Sequence, residues 1–210
     1  GYSVVILGRA KHKLPNVRSY IWDVKQKTID EEAINSADYI VNLAGAGIAD
    51  GRWTDSRKET ILSSRIDSTT LLIQALIKTD SEPKAYISAS AVGYYGAITT
   101  EKIYTEEDLF STDFLSSTCQ SWEESSNQLL DLKIRRVIVR IGVVLSNKGG
   151  ALTKLKIPFQ FGLGSAIASG NQYIPWIHID DLCEIFIKAI EDTKMNGIYN
   201  AVAPNPETNK

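Results

Sequence analysis

The residues from 42 to 96 decide how this chain is read: NLAG at 42–45, SRIDSTTLL at 64–72 and ISASAVGYYG at 87–96. Two apolar, strand-like runs each end in small residues, and a long helical pattern lies between them. Small residues just past a strand let a flat ligand lie against the backbone, as a dinucleotide does at the carboxyl edge of a parallel sheet. The stretch points to a cofactor before it points to a reaction.

Outward from it, the same alternation continues. Residues 3–7 (SVVIL) and 136–145 (RVIVRIGVVL) read as buried parallel strands, with a weaker strand at 18–22, a stronger one at 38–43, and further strands at 84–88 and 197–202. Helical spacing appears at 31–37, at 180–191, and most clearly at 54–79, where Leu62, Ile66, Thr69, Ile73 and Leu76 recur at steps of four and three. Thr54 is placed to cap that helix, and Pro83 lies beyond its far end. A second long helix is expected over 111–130, with a Gly-, Tyr- and Thr-rich loop before it at 90–110. Residues 148–164 mix Gly with an apolar run. Strands alternating with helices predict an α/β parallel sheet with right-handed crossovers.

Composition narrows the function classes. A chain of 210 residues that is 43% hydrophobic can build one domain with a proper core, burying roughly 70% of its unfolded surface. A net charge of −2 with acids and bases interspersed argues against a nucleic-acid or anionic-membrane partner. No apolar run approaches a membrane span. Cys119 and Cys183 lack a partner motif and read as reduced thiols of a cytoplasmic protein, and His12 and His178 have no metal-ligand spacing. The start at Gly1, directly before a strand, and the end at Lys210 in a Pro/Asn-rich segment make the chain read as the interior of a longer protein.

NLAG, SRIDST, ISASAVGYYG, VRIGVVLSNKGGAL and PWIHIDDL occur here in the order found in extended short-chain dehydrogenase/reductases. The chain most resembles the NAD-dependent epimerase/dehydratase branch carrying the RWTxxRK…SR, SASAVGYYG and PWIHxxDL signatures. The resemblance covers nearly the whole chain and implies a Rossmann-type doubly wound parallel sheet in one domain. It aligns residues 1–7 with the family's second strand, so the first strand and the Gly-rich turn that carries the pyrophosphate are not in this chain.

The same resemblance assigns candidate residues. Gly8 and Arg9 follow the second strand, where the adenosine ribose is read. A cation there pairs with a 2′-phosphate, so Arg9, helped by Lys11, favours NADP over NAD; a solvated surface cation is the alternative. Asp23 takes the place near the adenine, or simply forms a turn. Leu43 and Ala44 resemble residues lining the cofactor ribose. Arg65, on the long helix, replaces a common asparagine and would pair with a phosphate, hold a loop or form a salt bridge. Ser88 and Ser90 follow the fifth strand, and Ser90 is the better match to the family's hydroxyl that bonds the reacting oxygen. Tyr94 and Tyr95 would present a phenol to substrate, or pack. Val143 would lie beneath the nicotinamide, and residues 148–178 would form the substrate side. His178 is the one histidine placed to carry a proton, with a backbone-bonded core histidine as the alternative.

One departure stands out. The family's Tyr-x-x-x-Lys pair, in which lysine lowers the tyrosine pKa, would fall at Leu115 and Cys119, and that spacing occurs nowhere else in the chain. The implied function is an NADP(H)-binding reductase or epimerase-like protein acting on a small polar, sugar-derived substrate, with a homodimer through the long helices in keeping with the family. The alternative is a cofactor-binding regulatory or scaffold protein that kept the fold and lost the chemistry.

Overall fold

The computed structural model describes residues 1–98, 101–166 and 169–210. Along the chain run β1 (Val5–Gly8), β2 (Arg18–Asp23), β3 (Thr28–Ile29), α1 (Glu31–Asn35), β4 (Tyr39–Asn42), α2 (Asp55–Thr79) and β5 (Ala85–Ala91). A single 3-10 turn (Val92–Tyr95) precedes α3 (Phe114–Glu124), α4 (Gln128–Asp131), β6 (Arg135–Ile141), β7 (Val143–Ser146) and β8 (Gly149–Gly150). The chain closes with α5 (Ala151–Gln160), β9 (Tyr173–Ile174), β10 (Trp176–His178), α6 (Ile179–Glu191), β11 (Gly197–Ala201) and β12 (Glu207–Thr208). Two compact units emerge, Gly1–Tyr86 with Ser121–Arg136, and Ile87–Gln120 with Val137–Lys210.

In the first unit β1 and β2 pair in parallel, from Val5 opposite Arg18 to Gly8 opposite Ile21, and β4 neighbours the start of β5. Helix α2 begins where the sequence predicts. Thr54 is extended and its hydroxyl accepts from Arg57 N, while Asp80 takes the left-handed conformation that ends it. Its apolar face carries Leu71, Leu72, Ile73, Ala75 and Leu76 into a core with Trp22, Ile34, Ile40 and Tyr86. Burying side chains of this size stabilises by roughly 1.5–3 kcal/mol each. Of the anticipated stripe, Thr69, Ile73 and Leu76 are buried, whereas Leu62 and Ile66 are only half-buried.

In the second unit β11, β6 and β5 are neighbours in that order, and β6 and β11 run parallel from Val137 opposite Gly197. The strand expected over 136–145 divides at Gly142 and changes partner, since β7 pairs in parallel with β10 instead. Gly142 makes this possible: a Cβ there would sit 2.3 Å from the Pro175 carbonyl oxygen, an approach only glycine allows.

The helix expected over 111–130 is also shorter and broken. Asp113 starts it late, its Oδ1 accepting from Leu115 N and Ser116 N at 2.9 and 3.1 Å. At its other end the hydroxyls of Ser125 and Ser126 donate to Trp122 O and Glu123 O, and Asn127 N reaches back only three residues to Glu124 O. These local bonds compete with helix propagation and end α3. Residues 148–164, read as a mixed run, contain α5, which Pro158 and the left-handed Gly162 (φ 69°) bring to a stop. Thr99 and Thr100 of the expected 90–110 loop, and Ile167 and Ala168 of the 148–178 segment, lie outside the described residues.

Candidate active site

In the first unit, the residues expected at a cofactor lie at or just past the carboxyl ends of β1, β2 and β4, with Arg65 on α2. A Cβ on Gly8 would come 2.9 Å from His12 Nε2, so the missing side chain lets His12 fold back over the strand end. His12 N donates to Ser19 Oγ at 2.9 Å, tying this loop to β2. Arg9 and Lys11 are exposed on the loop surface. Asp23 forms a turn: its Oδ1 accepts from Lys25 N and Gln26 N.

At the end of β4, buried Asn42 donates to Tyr86 Oη at 2.7 Å and Thr69 Oγ1 at 3.2 Å, and accepts from Ala44 N at 3.0 Å. This side chain turns the chain sharply and leaves Leu43 63% exposed, an apolar surface at the strand end. The following loop is strapped onto α2. Arg65 Nη1 donates to Ala46 O and Ile61 O at 3.1 and 2.8 Å, Ser64 Oγ accepts from Ala46 N, Arg57 donates to Gly47 O, and Trp53 Nε1 donates to Ile48 O. Arg65 also lies over the Trp122 ring, 5.0 Å from its centroid. Through the bond to Ala46 O, Arg65 holds this loop. A Cβ on Gly45 would meet Arg65 Cζ at 3.1 Å, so the glycine makes room for the guanidinium.

The second unit gathers the candidate catalytic groups. Ser88 and Ser90 are buried on β5, which runs three residues further than expected before the 3-10 turn. Ser116 Oγ, at the start of α3, donates to Gly93 O at 2.9 Å and secures that turn. Leu115, at the place of the family's tyrosine, packs beneath Gly93, and Cys119 at the lysine place is buried.

From this turn Tyr94 and Tyr95 meet Arg140, which β6 carries at 1% exposure. Arg140 Cζ stands 3.4 Å from the Tyr94 ring centroid, and its Nη1 donates to Tyr95 Oη at 2.9 Å. Tyr95 Oη in turn donates to Asn200 Oδ1 at 2.8 Å, and Asn200 N donates to Glu106 Oε1 at 2.7 Å. Burial pushes the Tyr95 phenol above its ordinary value, even though the bond and charge from Arg140 pull it down. Tyr95 therefore holds its proton at neutral pH, beside a cation able to stabilise the tyrosinate left after that proton is given up.

Tyr95 and Asn200 border a cleft of about 490 Å³ whose walls include Tyr104, Tyr173, Trp176 and Pro204. Val143 pairs with Trp176, and Leu145 with His178, along β7 and β10. His178 is an exposed N-cap, not a core residue: its Nδ1 accepts from Asp180 N at 3.3 Å, so in the neutral ring Nε2 carries the proton. Among the described residues no cluster of His, Cys, Asp and Glu is arranged to hold a metal, and no helix is long and apolar enough to cross a membrane.

The model for the NAD dependent epimerase/dehydratase family matches residues 1–120. The chain is 38% identical over 208 residues to Epimerase family protein YfhF of Bacillus subtilis, covering 98% of this chain and 68% of the relative. It is 35% identical over 211 residues to human Epimerase family protein SDR39U1, covering all of this chain and 69% of that protein. It spans 58% of the Staphylococcus saprophyticus relative SSP1921, at 42% identity over 83% of this chain. The crystal structure of human SDR39U1 (isoform 2) with NADPH superposes on all of this chain and 68% of its own, with a TM-score of 0.82 at 32% identity. A nucleoside-diphosphate sugar epimerase from Corynebacterium glutamicum gives 0.81 at 31% identity, over all of this chain and 48% of that one. The fold is of the Rossmann type.

Sequence reading placed Tyr95 in the candidate loop and Arg140 on the strand toward the substrate side without pairing them, and it singled out neither Asn200 nor Glu106. Arg140 gave one signal, a cation enclosed between apolar residues of its strand, where an uncompensated charge is costly. Asn200 and Glu106 carried none, because a bond across 105 residues in one case and 94 in the other leaves no local pattern.

Proposed function

The chain belongs to the NAD-dependent epimerase/dehydratase family, and on that premise we propose that the full-length protein is an NADPH-dependent reductase or epimerase-like enzyme in which a Tyr95–Arg140 pair stands in for Tyr-x-x-x-Lys. The observation that carries the reading is the 2.9 Å bond from Arg140 Nη1 to Tyr95 Oη at the edge of the cleft. It unites the two elements of the family's pair, a phenol and a cation, from different parts of the chain. The chain spans between 56% and 69% of the length of the curated relatives it matches, so this function is proposed for the whole protein.

The residues present fit the adenosine end of NADPH. Half-buried Gly8 leads into exposed Arg9 and Lys11, cations suited to a 2′-phosphate, and Leu43 with Ala44 offers an apolar strand end suited to a ribose face. Ser88 and Val143 are carried as cofactor candidates by family resemblance alone. NADPH, when bound, supplies a hydride. The chain's own groups would serve the substrate oxygen: Tyr95 gives the proton, Arg140 stabilises the phenolate, Asn200 orients the phenol, and residues 148–178 form the substrate side. Ser90 is a further candidate donor to that oxygen, and Tyr94 screens Arg140 from water. His178, with Nδ1 committed to α6, would exchange protons only through Nε2.

Arg9→Glu tests the cofactor assignment. In full-length protein the variant is expected to lose at least tenfold in NADPH affinity and to change little toward NADH, read by titration of nucleotide fluorescence. Equal loss toward both nucleotides would contradict a 2′-phosphate contact. A second reading, a cofactor-binding protein without turnover, is favoured by Leu115 and Cys119 at the places of the catalytic pair. A clear fall in turnover on Ser90→Ala would exclude it.

A further inference from the structure

We infer that the cleft beside Tyr95 takes a flat, largely apolar carbonyl compound, an aromatic or conjugated ketone or aldehyde, and not a nucleotide sugar. The inference rests on the reading of Tyr95 as the reacting group of this cleft. Its volume of about 490 Å³ suits a small organic molecule. Its walls are built from rings and prolines, with Tyr104, Tyr173 and Trp176 facing the same space as Pro175, Pro204 and Pro206. Tyr104 already lies nearly parallel to Tyr95, with centroids 5.0 Å apart at 24°, so the cleft is lined by a stacking face next to the candidate proton donor.

Of the polar side chains in the lining, Tyr95 and Asn200 meet at one place. Tyr95 Oη accepts from Arg140 Nη1 and rests its proton on Asn200 Oδ1 at 2.8 Å, and this one hydroxyl can turn its proton to a substrate oxygen at the cleft border. That is what a single carbonyl needs. A nucleoside diphosphate needs more: it is usually met by guanidinium forks or a helix N-terminus. Here the charged side chains among the described lining residues are Glu101, which repels phosphate, and Lys102. Lys102 is ion-paired with Asp108 and stands 4.8 Å above the Tyr104 ring, so its charge is already shared. Placing a diphosphate there would set two negative charges beside Glu101 and Asp108 with one cation between them.

The test is direct binding to full-length protein saturated with NADP⁺, using 2-acetylnaphthalene and UDP-glucose as probes in calorimetric titrations. Saturable binding of 2-acetylnaphthalene is expected, weakened at least tenfold by Trp176→Ala and by Tyr104→Ala, with UDP-glucose giving no saturable heat. Tyr104 comes from a surface loop, so its variant keeps the test valid if Trp176→Ala does not fold, and melting curves confirm each. UDP-glucose binding that either substitution weakens, or 2-acetylnaphthalene binding that neither changes, would overturn the inference. Absence of binding by 2-acetylnaphthalene would overturn it too. Cleft binding of the ketone without its reduction by NADPH would sustain the ligand class and instead refute the catalytic role of Tyr95.

Discussion

Tyr95→Phe in full-length protein is expected to lower kcat by about a hundredfold to a thousandfold, the usual worth of a positioned proton donor, and to leave NADPH affinity within twofold. The substitution removes one oxygen and keeps the ring that stacks on Tyr104 and meets Tyr94 edge-on. What is lost is the proton and the bonds to Arg140 and Asn200. The pH dependence carries a second signature. Burial raises the phenol above its ordinary value of about 10, so the fold favours the neutral form. A group raised in this way contributes stability that is intact below its unfolded pKa and is lost as pH climbs through the folded one. Parent protein should therefore lose more stability than Tyr95→Phe above about pH 10, and carbonyl reduction should stay level through neutral pH. Chemical denaturation at successive alkaline pH values reads the first, initial rates the second.

Arg140→Met should be nearly as damaging to turnover, with little cost in stability. Arg140 is 1% exposed, and its bond and charge are what oppose the upward push of burial on Tyr95. Without it the phenol rises further, its conjugate base loses the adjacent cation, and proton donation becomes harder. The thioether chain fills much of the same volume, and removing a desolvated guanidinium also removes the cost of burying it. Unfolding free energy should accordingly change by no more than about 2 kcal/mol. Because the two residues act as one unit, the double variant Tyr95→Phe/Arg140→Met should be no slower than the worse single variant. Multiplicative losses would show that they act separately, and a collapse of stability would show that Arg140 is structural first.

What was legible beforehand follows from the range of each interaction. Helix α2 could be placed because Thr54 and its capping bond lie within three residues of each other. The strand ends at Gly8 and Asn42 could be placed because apolar runs stop abruptly at small or polar residues. Gly142 looked like part of one strand, since its role depends on Pro175, a residue distant in sequence. Helix α3 looked longer because helical spacing continues through Ser125 and Ser126, whose hydroxyls turn back to the backbone only in three dimensions. The same reasoning explains the site. The missing Tyr-x-x-x-Lys is a local pattern and was visible as an absence, whereas the Tyr95–Arg140 pair joins residues 45 positions apart. The clues available were the place of Arg140 in the middle of an apolar run and on the strand leading to the substrate side.

The most direct test is a single-turnover mixing of full-length protein, NADPH and 2-acetylnaphthalene, followed by the absorbance of the reduced nicotinamide. The account predicts that the absorbance decays with 1-(2-naphthyl)ethanol formed in equal amount, and that Tyr95→Phe abolishes the decay within the same observation time. A stable absorbance, in protein whose melting temperature both ligands have raised, would contradict it.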